Sequence, residues 1–196
     1  MNRTVLYIDG ENFRHFIEQI LTEKYTSANI LNLDLNKLLQ TTIKGVYNLD
    51  KVYYSAKLRE TKSDLKKARE LIHKQRLHKA LLENAGVKYV LSGNVRAQKV
   101  AIGKKSRTVF REKGVDVKIA VDLTTEVCDK AIKTAILCSS DSDLQPAVTL
   151  AKERKVSIIY LGFSRNPNKG LMYTTDQTIL ISDQQVLDCY VAGHKP

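Results

Sequence analysis

Short apolar runs rich in β-branched residues alternate along this chain with longer stretches whose apolar residues recur at helical spacing. Thr4–Ile8 (TVLYI) predicts a buried strand, followed by a helix over about Glu11–Glu23. Leu33–Ile43 predicts a second helix, and Lys51–Lys57 (KVYYSAK) a strand with period-two alternation. Asp64–Ala85 reads as a long amphipathic helix with Leu65, Ala68, Leu71, Ile72 and Leu82 on its apolar side, stopped by Gly86. Val87–Leu91 predicts a strand. Val95–Arg111 then breaks the rhythm: VRAQKVAIG and RTVFRE are β-like runs joined by the turn-prone segment GKKS, and together they read as an inserted hairpin. Beyond it come a helix over Val115–Cys128, a buried strand over Thr134–Cys138 (TAILC), a helix over Leu144–Arg154, a strand over Val156–Leu161 and a short strand over Thr178–Ile181. Strands alternating with helices predict an α/β fold in three layers, with a mainly parallel sheet covered on both faces. No repeat, linker or boundary interrupts the pattern, so one domain over residues 1–196 is expected, with a frayed tail over 192–196.

Composition narrows the class. Hydrophobic residues make up 43% of the chain and charged residues 27%, with only 9 Gly and 3 Pro, which excludes disordered, collagen-like and low-complexity chains. No apolar run approaches the roughly 18 residues that span a bilayer, and the opening MNRTVLYIDGENF has no apolar signal core, so a soluble cytoplasmic protein with no membrane partner is expected. Cys128, Cys138 and Cys189 are scattered and form no CxxC pair, which predicts reduced thiols. Lys and Arg number 32 against 21 acidic residues, a net charge of +11 that favours a polyanionic partner; taken alone it fits a generally basic protein equally well.

Ligands of such sheets gather at the carboxyl ends of the strands. There the first strand runs into Asp9-Gly10-Glu11-Asn12, and TAILC runs into Ser139-Ser140-Asp141-Ser142-Asp143. A right-handed crossover puts the start of the helix before TAILC, with Asp116, at the same edge. Asp9, Asp116, Asp141 and Asp143 would thus converge, and clustered carboxylates need a countercharge. Hard oxygen ligands suit Mg²⁺ or Mn²⁺. Each acid also has a plainer reading: Asp9-Gly10 as a turn, and Asp141 or Asp143 as the cap of the following helix. Asp122 lies about 120° around the helix from Asp116, so the two do not face one site equally. Other chemistries find no support. Gln98 stands where a phosphate-binding loop ending at Gly103-Lys104-Lys105-Ser106 needs glycine, there is no G-x-G-x-x-G, and His73 and His78 point to different faces of their helix.

DGEN, KGVDVKIAVDL and SSDSDL, in that order on an alternating α/β chain, resemble the NYN domain family, one of the PIN-like nucleases. The resemblance covers about residues 4–164. It implies a metal-dependent ribonuclease acting on RNA, with Asp9 and Asn12 in the first motif, Asp116 as the third acid, Asp141 as the fourth and Asp143 beside it. Asp122 matches a position that the family tends to keep acidic, and with Ser139 it is expected to support the site from behind. The second acid has no single match; Glu11 and the long helix are the choices. Ser140 and Leu144 stand where the family commonly has glycine and an aromatic residue.

The resulting expectation is a Mg²⁺- or Mn²⁺-dependent nuclease in which Asp9, Asp116, Asp141 and Asp143 hold metal and Asn12 hydrogen-bonds a carboxylate or the scissile phosphate. A binding module with little catalysis and a phosphohydrolase of small nucleotides are the alternatives; oligomeric state is left open. Arg96, Lys99, Lys104, Lys105, Arg107, Arg111 and Lys113 make the hairpin the expected nucleic-acid track, with the lysines of the long helix as a rival face.

Overall fold

The computed structural model describes residues 3–46, 48–59, 65–102 and 105–192. Its strands are β1 (Thr4–Asp9), β2 (Leu49–Lys57), β3 (Val87–Ile102), β4 (Lys105–Lys113), β5 (Thr134–Cys138), β6 (Ser157–Phe163) and β7 (Gln177–Ile181). They lie in the order β4-β3-β2-β1-β5-β6-β7, with every neighbouring pair parallel except β3–β4. The helices are α1 (Gly10–Lys24), α2 (Leu35–Thr42), α3 (Leu65–Asn84), α4 (Val115–Cys128), α5 (Gln145–Glu153), α6 (Lys169–Thr174) and α7 (Asp183–Asp188).

Alternation along the central strands sorts the core into two halves. In β1, Leu6 and Ile8 face a layer containing α1, α2 and α7, where they pack with Phe13, Ile17, Leu38 and Val186. Val5 and Tyr7 face the other layer, made by α4, α5 and α6, and pack with Ile119, Leu123, Val148 and Leu171. A strand buried on both faces reads as a continuous apolar run, which is why TVLYI and TAILC are short and unbroken. From β1 the chain moves outward through β2 and β3, then returns to place β5 on the other side of β1. The crevice above β1 and β5 is therefore the point at which strand order reverses, the usual ligand position in such sheets.

The structure adds two helices to the expected elements and shifts the buried side of a third. Lys169–Thr174 and Asp183–Asp188 are helical, and each spans six residues, too short to show a period. Leu65 and Leu71 are exposed on α3 rather than part of its apolar side, and Leu82 is the fully buried member of that set. The expected hairpin is present, formed by β4 and the outer half of β3, and it is continuous with the main sheet. Pairing with β2 ends at Lys57–Asn94, and from Asn94 outward β3 continues against β4 alone. Gly103 and Lys104 at its tip lie outside the described residues, as does the tail from residue 193.

On α3, His78 sits edge-on to Tyr53 and Tyr89, with ring centroids 5.2 and 6.3 Å away. Burial, helped by Arg14, lowers its pKa from 6.5 to about 4. The folded ring thus stays neutral while the unfolded chain takes up a proton below pH 6.5, so stability is complete above that pH and falls as pH drops toward 4. Urea unfolding at pH 5 should show about 2 kcal/mol less stability from this group than at pH 7.5. His78→Phe should remove that part of the pH dependence; an unchanged profile in the variant would show that His78 is not its source.

Candidate functional site

Three chain segments meet at the crevice. β1 delivers Asp9 as its last residue and the N-cap of α1. The segment after β5 forms a short turn of 3-10 helix over Ser142–Leu144, with Asp141 as its N-cap. α4 brings Asp116 in its first turn, after Gly114, whose φ of 90° lies in the left-handed region. Gly114 follows directly from β4, and at the hairpin base a Cβ on Gly93 would lie 2.2 Å from the Lys113 carbonyl oxygen. The two backbones can close there only because residue 93 has no side chain, and this closure fixes where α4 starts.

Carboxylate oxygens of Asp116, Asp141 and Asp143 all lie within 4.8 Å of one another. Asp116 and Asp141 are half-buried and Asp143 is exposed. Among the described residues, no Lys or Arg forms an ion pair with any of the three. Asp141 does cap: one of its oxygens accepts the Asp143 N–H at 2.9 Å. The capping and ligand readings therefore do not exclude each other, since the second oxygen is uninvolved in the cap.

Asp9 stands apart from this group. It is only 5% exposed and is enclosed by hydrogen bonds: Asn12 donates its backbone N–H at 3.2 Å and its Nδ2 at 2.5 Å, and the Ser139 hydroxyl donates at 3.0 Å. Burial raises its pKa; the Asn12 and Ser139 hydrogen bonds pull it down, and the negative charge of Asp141 pushes it further up. Ser139 connects the two acids, because its hydroxyl oxygen also accepts the Asp141 N–H at 3.1 Å. Asn12 carries the connection on, with its carbonyl oxygen accepting the Ser140 hydroxyl.

Asp122 lies one turn along α4 from Lys118 and is not one of the three grouped acids. Tyr54 donates to it at 3.0 Å and Lys118 at 2.5 Å, so its charge is neutralised locally. Burial and the Asp122 carboxylate raise the Tyr54 phenol pKa, which keeps it protonated as the donor. Glu11 pairs with Arg14 at 2.7 Å on the outside of α1. On the hairpin, the side chains of Arg96, Lys99, Lys104, Lys105, Arg107 and Arg111 lie outside the described residues; Lys113 is exposed.

Sequence reasoning missed Asn168. Its Nδ2 donates to the Ser140 carbonyl at 2.8 Å, while its Oδ1 accepts the Leu171 N–H at 2.9 Å as the N-cap of α6. Asn168 thereby ties the acidic loop to α6. The local signal was an Asn-Pro-Asn stretch after a buried strand, a capping pattern too brief to stand out.

The model of the NYN domain matches residues 3–182, nearly the whole chain. The chain belongs to the NYN domain family. The family implies a PIN-like nuclease, and the grouped aspartates sit at the carboxyl edge of this NYN sheet. An uncharacterised protein of Methanocaldococcus jannaschii is 35% identical over 74 residues, covering 38% of this chain and 31% of its own length. The chain thus aligns with about a third of that relative. A crystal structure of a protein of unknown function from Vibrio parahaemolyticus superposes with a TM-score of 0.56 at 18% identity, covering 92% of this chain and 93% of that one. That likeness concerns the fold, an α/β sheet flanked by helices.

The donor set of this NYN site fits a hard divalent cation. All three donors are carboxylate oxygens, and their 4.8 Å spread is close to the roughly 4.2 Å that separates opposite ligands of an octahedral Mg²⁺. Three like charges this close, with no cation among the described residues paired to them, are also an arrangement that a bound cation relieves.

Proposed function

We propose that this NYN domain is a metal-dependent ribonuclease that hydrolyses RNA phosphodiester bonds above β1 and β5, using Mg²⁺ or Mn²⁺. The observation that carries this reading is the group of Asp116, Asp141 and Asp143, within 4.8 Å and without a protein countercharge among the described residues. When bound, the cation would polarise the phosphate and ease deprotonation of the attacking water. Asp116 and Asp141 would hold it from the half-buried side, and Asp143, the exposed member, would hold it and orient the water. Asp9 adds a fourth negative charge from behind and fixes Asn12 and Ser139, which set the position of the loop. Asn12 acts through Asp9 and Ser140, both of its amide ends being committed there.

The hairpin is proposed as the RNA track, through Arg96, Lys99, Lys104, Lys105, Arg107, Arg111 and Lys113, because it runs directly into the helix that bears Asp116. No described helix is long and apolar enough to cross a membrane, and the three cysteines are free. Free thiols support a reducing compartment, and we place the protein in the cytoplasm.

Incubating the chain with labelled RNA and DNA strands, in Mg²⁺, Mn²⁺ or EDTA, tests this. RNA cleavage in either cation and none in EDTA is the expected result. Cleavage that persists in EDTA would overturn the metal role, and tight binding without turnover in excess Mn²⁺ would make the domain a binding module.

A further inference from the structure

We infer that Tyr173 and Lys169 on α6 form a stacking platform for a nucleobase of a single-stranded nucleic acid lying across the acidic crevice; the inference rests on the nucleic-acid reading above and deepens it. Tyr173 is 94% exposed. A lone exposed apolar side chain is ordinary on a protein surface, so exposure alone decides nothing. Place, company and charge set this residue apart.

Asn168 ties the start of α6 to the Ser140 carbonyl, and Gly170 packs so tightly that a Cβ there would come within 2.2 Å of the Gln145 Nε2. Gln145 opens α5 two residues after Asp143. α6 is therefore pressed against the segment that carries two of the three acids. Within that helical layer α4 packs against α5 and α5 against α6, so the acids have α4 and the hairpin on one flank and α6 on the other. A strand that crosses the start of α4 and passes the acids reaches α6 next.

Leu171 is fully buried and points α6 at the core. Lys169 and Tyr173, two positions to either side, lie about 200° away in each direction and so share the solvent face, one turn apart and about 6 Å along the axis. Both are exposed. From Arg165 to Thr175 the chain has no acidic residue. Arg165 is already held by Glu23 and Asp183, and the next acid, Asp176, is held by Lys152, which leaves Lys169 as the cation available to phosphate on this face among the described residues. An exposed ring beside an uncommitted cation is how single strands are gripped without base readout: the base stacks on the ring while the ammonium meets the backbone.

The test measures fluorescence anisotropy of a labelled oligouridine and of the matching abasic strand, with every protein carrying Asp141→Asn so that cleavage does not consume the probe. Tyr173→Ala should weaken oligouridine binding about tenfold or more. Tyr173→Phe should stay within about twofold of the parent, since the ring and not the hydroxyl does the stacking. Abasic-strand binding should not respond to Tyr173→Ala, but both strands should respond to Lys169→Ala. The chain contains no tryptophan, so Tyr173→Trp supplies a single reporter whose emission the oligouridine, and not the abasic strand, should quench. Unchanged oligouridine affinity in Tyr173→Ala, or unmoved emission in Tyr173→Trp, overturns the platform while leaving the nuclease reading in place. No binding of either strand by the Asp141→Asn parent overturns the nucleic-acid reading itself, and the platform with it.

Discussion

Asp141→Asn is expected to lower RNA cleavage by at least about a hundredfold, since outer partners of metal ligands already contribute about 10- to 100-fold and Asp141 is proposed to touch the cation. The substitution separates two roles that coincide in one side chain. Asn is as good an N-cap as Asp, so the hydrogen bond from the Asp143 N–H survives. What disappears is one of three negative charges within 4.8 Å. In EDTA the variant should therefore melt at or above the wild-type temperature, because like charges repel and one has been removed. Added Mn²⁺ should stabilise wild type by preferential binding to the folded state, and the variant should lose most of that gain. Cleavage rates, Mn²⁺ calorimetry and melts with and without EDTA read these separately. Wild-type turnover would remove Asp141 from the metal site. A melting temperature several degrees below wild type in EDTA would instead make the cap its main role.

The sheet was legible because its central strands are buried on both faces, leaving unbroken apolar runs such as TAILC between polar loops, and because α4 has both a clear start after Gly114 and a sustained apolar face. α6 and α7 were not, since fewer than two turns offer no period. Their marks are single caps, Asn168 on Leu171 and Ser182 in a capping box with Gln185. On α3 the leucines misled. Leu65 and Leu71 are exposed, while Gln75, half-buried, turns inward to donate to the Ala56 carbonyl at 2.7 Å. Hydrophobicity alone sets the wrong phase when a polar residue satisfies a strand end.

At the site, topology carries more than residue type does. The crossover rule puts Asp116 at the same sheet edge as the loop after β5, although 24 residues separate Asp116 from Ser140. Depth was not legible. Whether Asp9 faces the crevice or lies behind it depends on which way Ser139 and Asn12 turn their polar groups, and no spacing rule contains that. The same holds for Asn168, whose tie to Ser140 joins the loops after β5 and β6 through residues 28 apart in sequence.

Gly10→Ala is expected to destabilise the fold by about 3 kcal/mol, the upper end of ordinary overpacking. The sequence admits Asp9-Gly10 as a simple turn, but Gly10 is the first residue of α1 and its φ is not positive. If flexibility were the only reason for glycine, alanine would stabilise the helix by up to about 1 kcal/mol. Contact geometry predicts the opposite sign. A Cβ on Gly10 would lie 2.4 Å from the Tyr54 carbonyl oxygen and 2.4 Å from Tyr53 Cε1. Neither can withdraw: the first belongs to the backbone of β2, and the second to a buried ring that packs on Phe13, Tyr89 and His78. α1 would have to retreat from the sheet, stretching the 3.0 Å hydrogen bond from the Tyr53 hydroxyl to the Gly10 carbonyl and carrying Asn12 away from Asp9 and Ser140. For a chain of this length the melting temperature should fall by about 6–12 °C, with cleavage impaired even well below it. A melting temperature equal to or above wild type would show that β2 and α1 are not pressed together at this point, and that the Asp9–Asn12 turn is held by its hydrogen bonds alone.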